Sequence, residues 1–243
     1  MTGSLAYLWL EAKRQWPNRE ILIFRLGLPT AVYLILNAAN RDTPPSSPGG
    51  RMVAVAALAG VISGLAAGPC LGDERANGWL RQLRTTALRP SAAVAAKIVV
   101  AMSFALPAIA LVAAAGLVGD NQGTALGWAA SIKVVGLMWL ATTPITAVGA
   151  LIGLTFGGEA AHGATTLAFV VLWLAGGIFT PPSQMPDALA AISRSLPSWG
   201  VVQVGESVAA GRSLSASALV VLAAWTVGAG ALAALAWRRV LAR

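Results

Sequence analysis

Apolar residues run along this chain in blocks long enough to cross a bilayer, with polar residues gathered at the block ends. The blocks predict six spans, at about 21–39, 52–72, 98–118, 134–156, 164–180 and 214–237. Each approaches the ~20 helical residues that cross a hydrocarbon core, the first and fifth being short. Ahead of them, Leu5, Leu8, Trp9, Ala12 and Trp16 fall on one side of a helical projection of residues 4–16. Glu11, Lys13 and Arg14 fall on the other, which predicts an interfacial helix closed by Pro17. The predicted fold is an all-α membrane protein, one transmembrane domain over residues 1–243.

Between the second and third blocks, Asp73 to Lys97 is the most basic internal segment, with Arg75, Arg81, Arg84, Arg89 and Lys97. Within it Trp79, Leu80, Leu83, Ala87 and Leu88 recur at three- and four-residue spacing, while Arg81 and Arg84 turn away. Pro90 ends the pattern before the next span. A short amphipathic helix on a membrane-edge loop predicts a docking surface for a partner.

Small residues repeat every fourth position in two spans, as Gly60, Gly64, Gly68 and as Gly149, Gly153, Gly157. Such ridges let helix backbones approach closely, either inside one bundle or between subunits. Pro107 and Pro144 predict kinks, and Thr142, Thr143 and Thr146 stand where their hydroxyls would satisfy backbone groups freed by the second. The segment from Thr180 to Arg212 is too long for a turn. Its prolines predict short helices at the outer, extracellular face between the fifth and sixth spans, one of them over Ala188 to Leu196 with Pro197 stopping it and Trp199 at interface depth.

Composition agrees with these elements: 57% of the 243 residues are hydrophobic and 11% charged, against about 25% charged in soluble domains. The net charge of +8 therefore orients the chain in a bilayer and does not point to nucleic acid. With both termini inside, Lys13, Arg14, Arg19, Arg25, the five loop cations and Arg238, Arg239 and Arg243 lie on the inner side. Only Arg41, Arg51, Lys133, Arg194 and Arg212 lie outside, so the chain is expected to have both ends cytoplasmic. Arg25, one turn into the first span, is expected to snorkel to the inner face as an anchor. The amino terminus shows no evident cleavage site, so the chain is expected to be retained whole.

Catalytic chemistry has few residues to draw on. There is no GxxxxGK[ST] loop for a nucleotide phosphate. His162 is the single histidine, read as a loop-end contact with Glu159, and Cys70, the single cysteine, as a small buried hydrophobe. No metal site, cofactor site or catalytic residue is expected on this chain. A driven transporter of this composition would take its energy from another polypeptide.

Taken in order, these features resemble the type 2 ABC exporter permeases. The resemblance rests on the amphipathic start and six spans, on Glu74-Arg75, Gly78, Leu80, Leu83, Pro90 and Lys97 in the basic loop, and on Gly176-Gly177-Ile178-Phe179, Pro181, Met185-Pro186 and Leu196-Pro197. It implies a permease half-transporter of a bacterial cytoplasmic membrane, paired with itself or a relative and joined to two separate ATPase subunits. ATP and Mg would bind to those subunits. It further implies that Glu74, Arg75, Gly78, Trp79, Leu80, Arg81, Leu83, Arg84 and Leu88 form the ATPase-coupling helix. Ser63, Thr165, Thr166, Trp173 and Phe179 would line the translocation path, whose apolar character suits a drug, antibiotic or peptide. The alternatives are export of a lipid or lipid-linked polysaccharide, a sensing or immunity complex that binds without transporting, and a channel or scaffold without an ATPase.

Overall fold

A computed structural model describes residues 2–15, 22–40, 49–79, 90–119 and 126–242, which are mostly helix, with no strand among them. The elements are α1 (Thr2–Gln15), α2 (Ile23–Ala39), α3 (Gly50–Ala76), α4 (Pro90–Gly119), α5 (Trp128–Thr155), α6 (Glu159–Leu174), α7 (Asp187–Ser195), α8 (Pro197–Ala209) and α9 (Ala216–Ala242). α3, α4, α5 and α9 are long and apolar enough to cross a membrane, while α2 and α6 are shorter apolar helices. Each of the six overlaps one of the six apolar blocks of the sequence, and four of them are long enough to span. The fifth is displaced, starting at Glu159 instead of 164 and ending at Leu174 instead of 180. Gly176 and Gly177 end it early: a Cβ on Gly176 would overlap the Leu172 carbonyl, and Gly177 takes φ +71°.

α3 is the central helix. Met52, Val53, Val55, Ala56, Ala57, Leu58, Val61 and Leu65 are buried from it against α2, α4, α5 and α8. Side chains this small bring neighbouring backbones close, and the two glycine ridges meet each other within the chain. A Cβ on Gly149 would lie 2.9 Å from the Gly64 carbonyl oxygen and 3.0 Å from Leu65 Cα. One on Gly153 would overlap the Gly68 carbonyl. Of the two packings open from the sequence, the ridges take the one inside a single bundle. Both helices are interrupted, α3 at Ala66 and α5 at Thr142 just before Pro144. At the second break the threonine hydroxyls donate as expected: Thr142 to the Trp139 carbonyl at 2.6 Å, Thr143 to Leu140 at 2.6 Å and Thr146 to Thr142 at 3.3 Å.

The short helix expected over Ala188 to Leu196 forms as α7, Asp187–Ser195, and stops before Pro197. The same proline opens a further helix, α8, where its missing N–H is one of the orphan donors of a first helical turn. α8 packs against α3, the first half of α5 and α9, so Trp199 is buried in the bundle at 9% exposure. The Arg25 guanidinium lies 4.8 Å from the Phe104 ring centroid, a cation–π contact. The element that places it there is a π-helical turn, Ile23–Gly27, at the start of α2.

Candidate functional site

α1 lies along the start of α4, at the end of the bundle from which the basic loop leaves α3. There, three elements distant in sequence deliver charge to one point. Glu11 comes from the inner face of α1, Cys70 and Glu74 from one face of α3 four residues apart, and Lys97 from the second turn of α4. The Lys97 ammonium stands 2.9 Å from Glu11 Oε1, 2.6 Å from Glu74 Oε1 and 3.5 Å from Cys70 Sγ. All three charged side chains are buried, Lys97 to 2% exposure. The Tyr7 phenol, one turn before Glu11, lies near the same charges, and burial raises its pKa against the pull of Lys97. Glu11, Cys70 and Glu74 alone would form a compact trio of cation ligands; in this arrangement Lys97 brings the cation. Sequence reading missed the cluster, since residues 11, 74 and 97 share no local pattern.

The end of α3 is clasped to the turn between α5 and α6. Arg75 donates to the Leu154 carbonyl at 2.7 Å and to that of Thr155, satisfying carbonyls that the last turn of α5 leaves without helical partners. Gly158 N–H donates to the Gly72 carbonyl at 3.0 Å. His162 Nε2 lies 3.1 Å from the Asp73 carboxylate, so its acidic contact is Asp73 and not the expected Glu159. α3 then stops at Gly78, whose φ of +72° fits a residue without Cβ and whose N–H reaches the Arg75 carbonyl.

The predicted coupling residues therefore divide. Glu74 is buried in the charge cluster, Arg75 caps α5, Gly78 ends α3, and Trp79 follows with 41% of its surface exposed. Leu80, Arg81, Leu83, Arg84 and Leu88 lie outside the described residues.

Beside the cluster, a cavity of about 640 Å³ opens between α1, α2, α3 and α6. Thr165 and Thr166 line it together with Arg25, Ile62, Cys70 and Phe169. Thr166 donates to the His162 carbonyl at 3.0 Å. Farther along α6, Trp173 stacks on Phe169 with centroids 6.0 Å apart and lines a second, apolar space of about 380 Å³ with Phe179. Thr166, Phe169 and Trp173 thus run up one side of α6 at helical spacing, the first two lining the larger space and the third the smaller. Ser63 lies apart, fully buried within the helix packing. Around these spaces α2 and α6 leave large apolar side chains uncovered, among them Phe24, Ile35, Leu167, Val171 and Leu174.

Residues 4–203, from α1 through most of α8, match the protein family described as ABC-2 type transporter. The chain is also 25% identical over 196 residues to a Bacillus subtilis (strain 168) protein named "Putative transport permease YvfS", with 78% of each chain covered.

Proposed function

Because this chain belongs to the ABC-2 type transporter family, and so is a membrane transport subunit, we propose that it is the permease half of an ATP-driven exporter. Its cargo is an apolar or amphipathic compound such as a drug, antibiotic or peptide. Two copies, or one copy with a relative, enclose the pathway in a bacterial cytoplasmic membrane, with six spans and both termini inside. Two separate ATPase subunits bind and hydrolyse ATP; this chain supplies no catalytic group.

The observation that carries the reading is the 640 Å³ cavity opening beside the clasped end of α3. Its lining is mostly apolar, with the polar groups Glu11, Arg25, His162, Thr165 and Thr166, as befits a site for an amphipathic compound. α3 leads from this cavity into the amphipathic segment 79–88, so a push on that segment is delivered to a helix that walls the cavity. Trp79, Leu80 and Leu83 serve as apolar anchors in a groove of the ATPase, while Arg81 and Arg84 meet an acidic rim. ATPase closure then shifts α3 against α6 and turns the cavity from one membrane face to the other.

Mechanically, the Glu11–Lys97–Glu74 cluster ties α1 and α4 to this same end of α3. A buried ion pair broken on one side is costly, so the three helices move as one body. The test is reconstitution with the ATPase encoded beside this chain, followed by ATP turnover and vesicle uptake of a panel of amphipathic compounds. Trp79→Ala and Leu83→Asp are expected to reduce ATPase co-purification at least tenfold, a loss of about 1.4 kcal/mol or more, without affecting membrane insertion. Co-purification equal to wild type for both variants overturns the coupling assignment. Association with ligand binding but no uptake replaces export by a sensing role.

A further inference from the structure

The cavity of about 640 Å³ and the apolar space of about 380 Å³ follow one another along the same three helices. On each helix one turn separates the nearest lining residues of the two: Leu28 and Val32 on α2, Ile62 and Leu58 on α3, Phe169 and Trp173 on α6. On α3 the lining runs from Cys70 back to Leu58, roughly 18 Å at helical rise. One leaflet contributes about 15 Å of hydrocarbon, half of the ~30 Å core. The track is therefore about one leaflet long.

Its two ends differ in chemistry. Polar lining gathers at the end beside α1, as Glu11, Arg25, His162 and Thr166. On α2 it gives way to Leu28, Val32 and Leu36, and on α6 to Phe169, Trp173 and Leu174; Thr180 is the polar residue of the second space. The ionisable groups at the polar end are already engaged. Glu11 holds Lys97 at 2.9 Å, Arg25 lies 4.8 Å from the Phe104 ring centroid, and His162 stands 3.1 Å from Asp73. A charged or zwitterionic head entering here would lose its water and meet only groups that protein partners already satisfy. An uncharged hydroxylated head loses less and finds neutral hydrogen bonding. The Thr166 hydroxyl donates to the His162 carbonyl at 3.0 Å and keeps its lone pairs for an incoming donor.

We propose that this track binds an uncharged single-chain amphiphile with a hydroxylated head, such as a monoacylglycerol. The head sits among Arg25, His162 and Thr166, and the chain runs along α3 past Phe169 to Leu58 and Trp173. The proposal rests on the reading of the cavity as the cargo site and narrows that cargo to lipid-like molecules taken up at this membrane face.

The test is photolabelling of the permease in nanodiscs, without its ATPase, by two forms of 1-monolauroylglycerol. One carries a diazirine beside the ester and is expected to label α6 around Thr166. The other carries it at the chain end and is expected to label Trp173 or Leu58. Labelling confined elsewhere, or in the reverse order, overturns the site. Among unlabelled competitors, 1-monolauroylglycerol is expected to displace the label about tenfold better than dodecylammonium, dodecyl sulfate or dodecylphosphocholine. Equal displacement, or a charged or zwitterionic competitor that wins, overturns the choice of head. Thr166→Val is expected to weaken displacement about fivefold and Thr166→Ser to restore it, while Thr226→Val on α9 changes nothing. Ala66→Phe, which fills the floor of the cavity, is expected to abolish both labels, and labelling that survives it overturns the proposal. Should that variant fail to fold, the order of the two labels on the unaltered protein decides. With the ATPase and ATP added, correctly placed labels without export of monolauroylglycerol remove the cargo reading and leave the binding site standing.

Discussion

Lys97 is the residue whose role changes most between sequence and structure. In the sequence it closes a basic segment and counts toward orientation; in the fold it is the cation of a buried cluster, with Glu11 86 residues away and Glu74 23 residues away. Long-range pairings of this kind leave no periodicity to read. The threonines at the α5 break were legible because their hydroxyls bond carbonyls three or four residues back, a distance fixed by the helix itself. The energetic consequence for Lys97 is one-sided. Lys97→Met leaves two buried carboxylates facing each other and is expected to cost about 3–5 kcal/mol. Adding Glu11→Gln and Glu74→Gln removes the stranded charges and is expected to return most of that loss. Thermal denaturation of the detergent-purified protein checks this; a single variant as stable as wild type would show that the cluster carries no such weight.

At the scale of elements, the long helices followed the hydrophobic blocks, because a bilayer-length run of apolar residues has few alternatives to a helix. What escaped was α8. Its sequence, PSWGVVQVGESVA, is too short for a span and follows a segment broken by Pro181, Pro182 and Pro186, so Pro197 read as a stop. The glycine ridges were visible but their partner was not, since spacing alone does not say which helix approaches. The structure pairs them with each other, which makes a sharp expectation. Gly153→Ala forces a Cβ into the Gly68 carbonyl and Leu71, and overpacking of this kind costs about 1–3 kcal/mol. Gly228→Ala, in α9 with nothing within 4 Å of the new Cβ, is expected to be neutral or slightly stabilising. Yield and melting temperature of the two variants compared side by side check the pairing, and equal effects would refute it.

For the whole molecule, the uncovered faces decide how the chain is completed in the membrane. α9 exposes Leu219, Val220, Val227 and Leu235, as a helix facing lipid would. α6 and α2 also expose apolar side chains, of which Phe24 and Leu28 line the 640 Å³ cavity. A cavity open on that side is closed only by a second surface, and in the exporter reading that surface is another permease subunit. Cys70 is the single cysteine, so Cys70→Ala gives a thiol-free chain on which position can be reported. In that background, single cysteines at Leu167, Val171 and Leu174 on α6 are expected to yield a disulfide-linked pair on mild oxidation in the membrane. Val227→Cys, 71% exposed on α9, is expected to remain monomeric. Electrophoresis without reductant reads the outcome. Linked pairs from α9 and none from α6 would place the second subunit on the opposite side of the bundle, and the cavity would then face lipid instead of a partner.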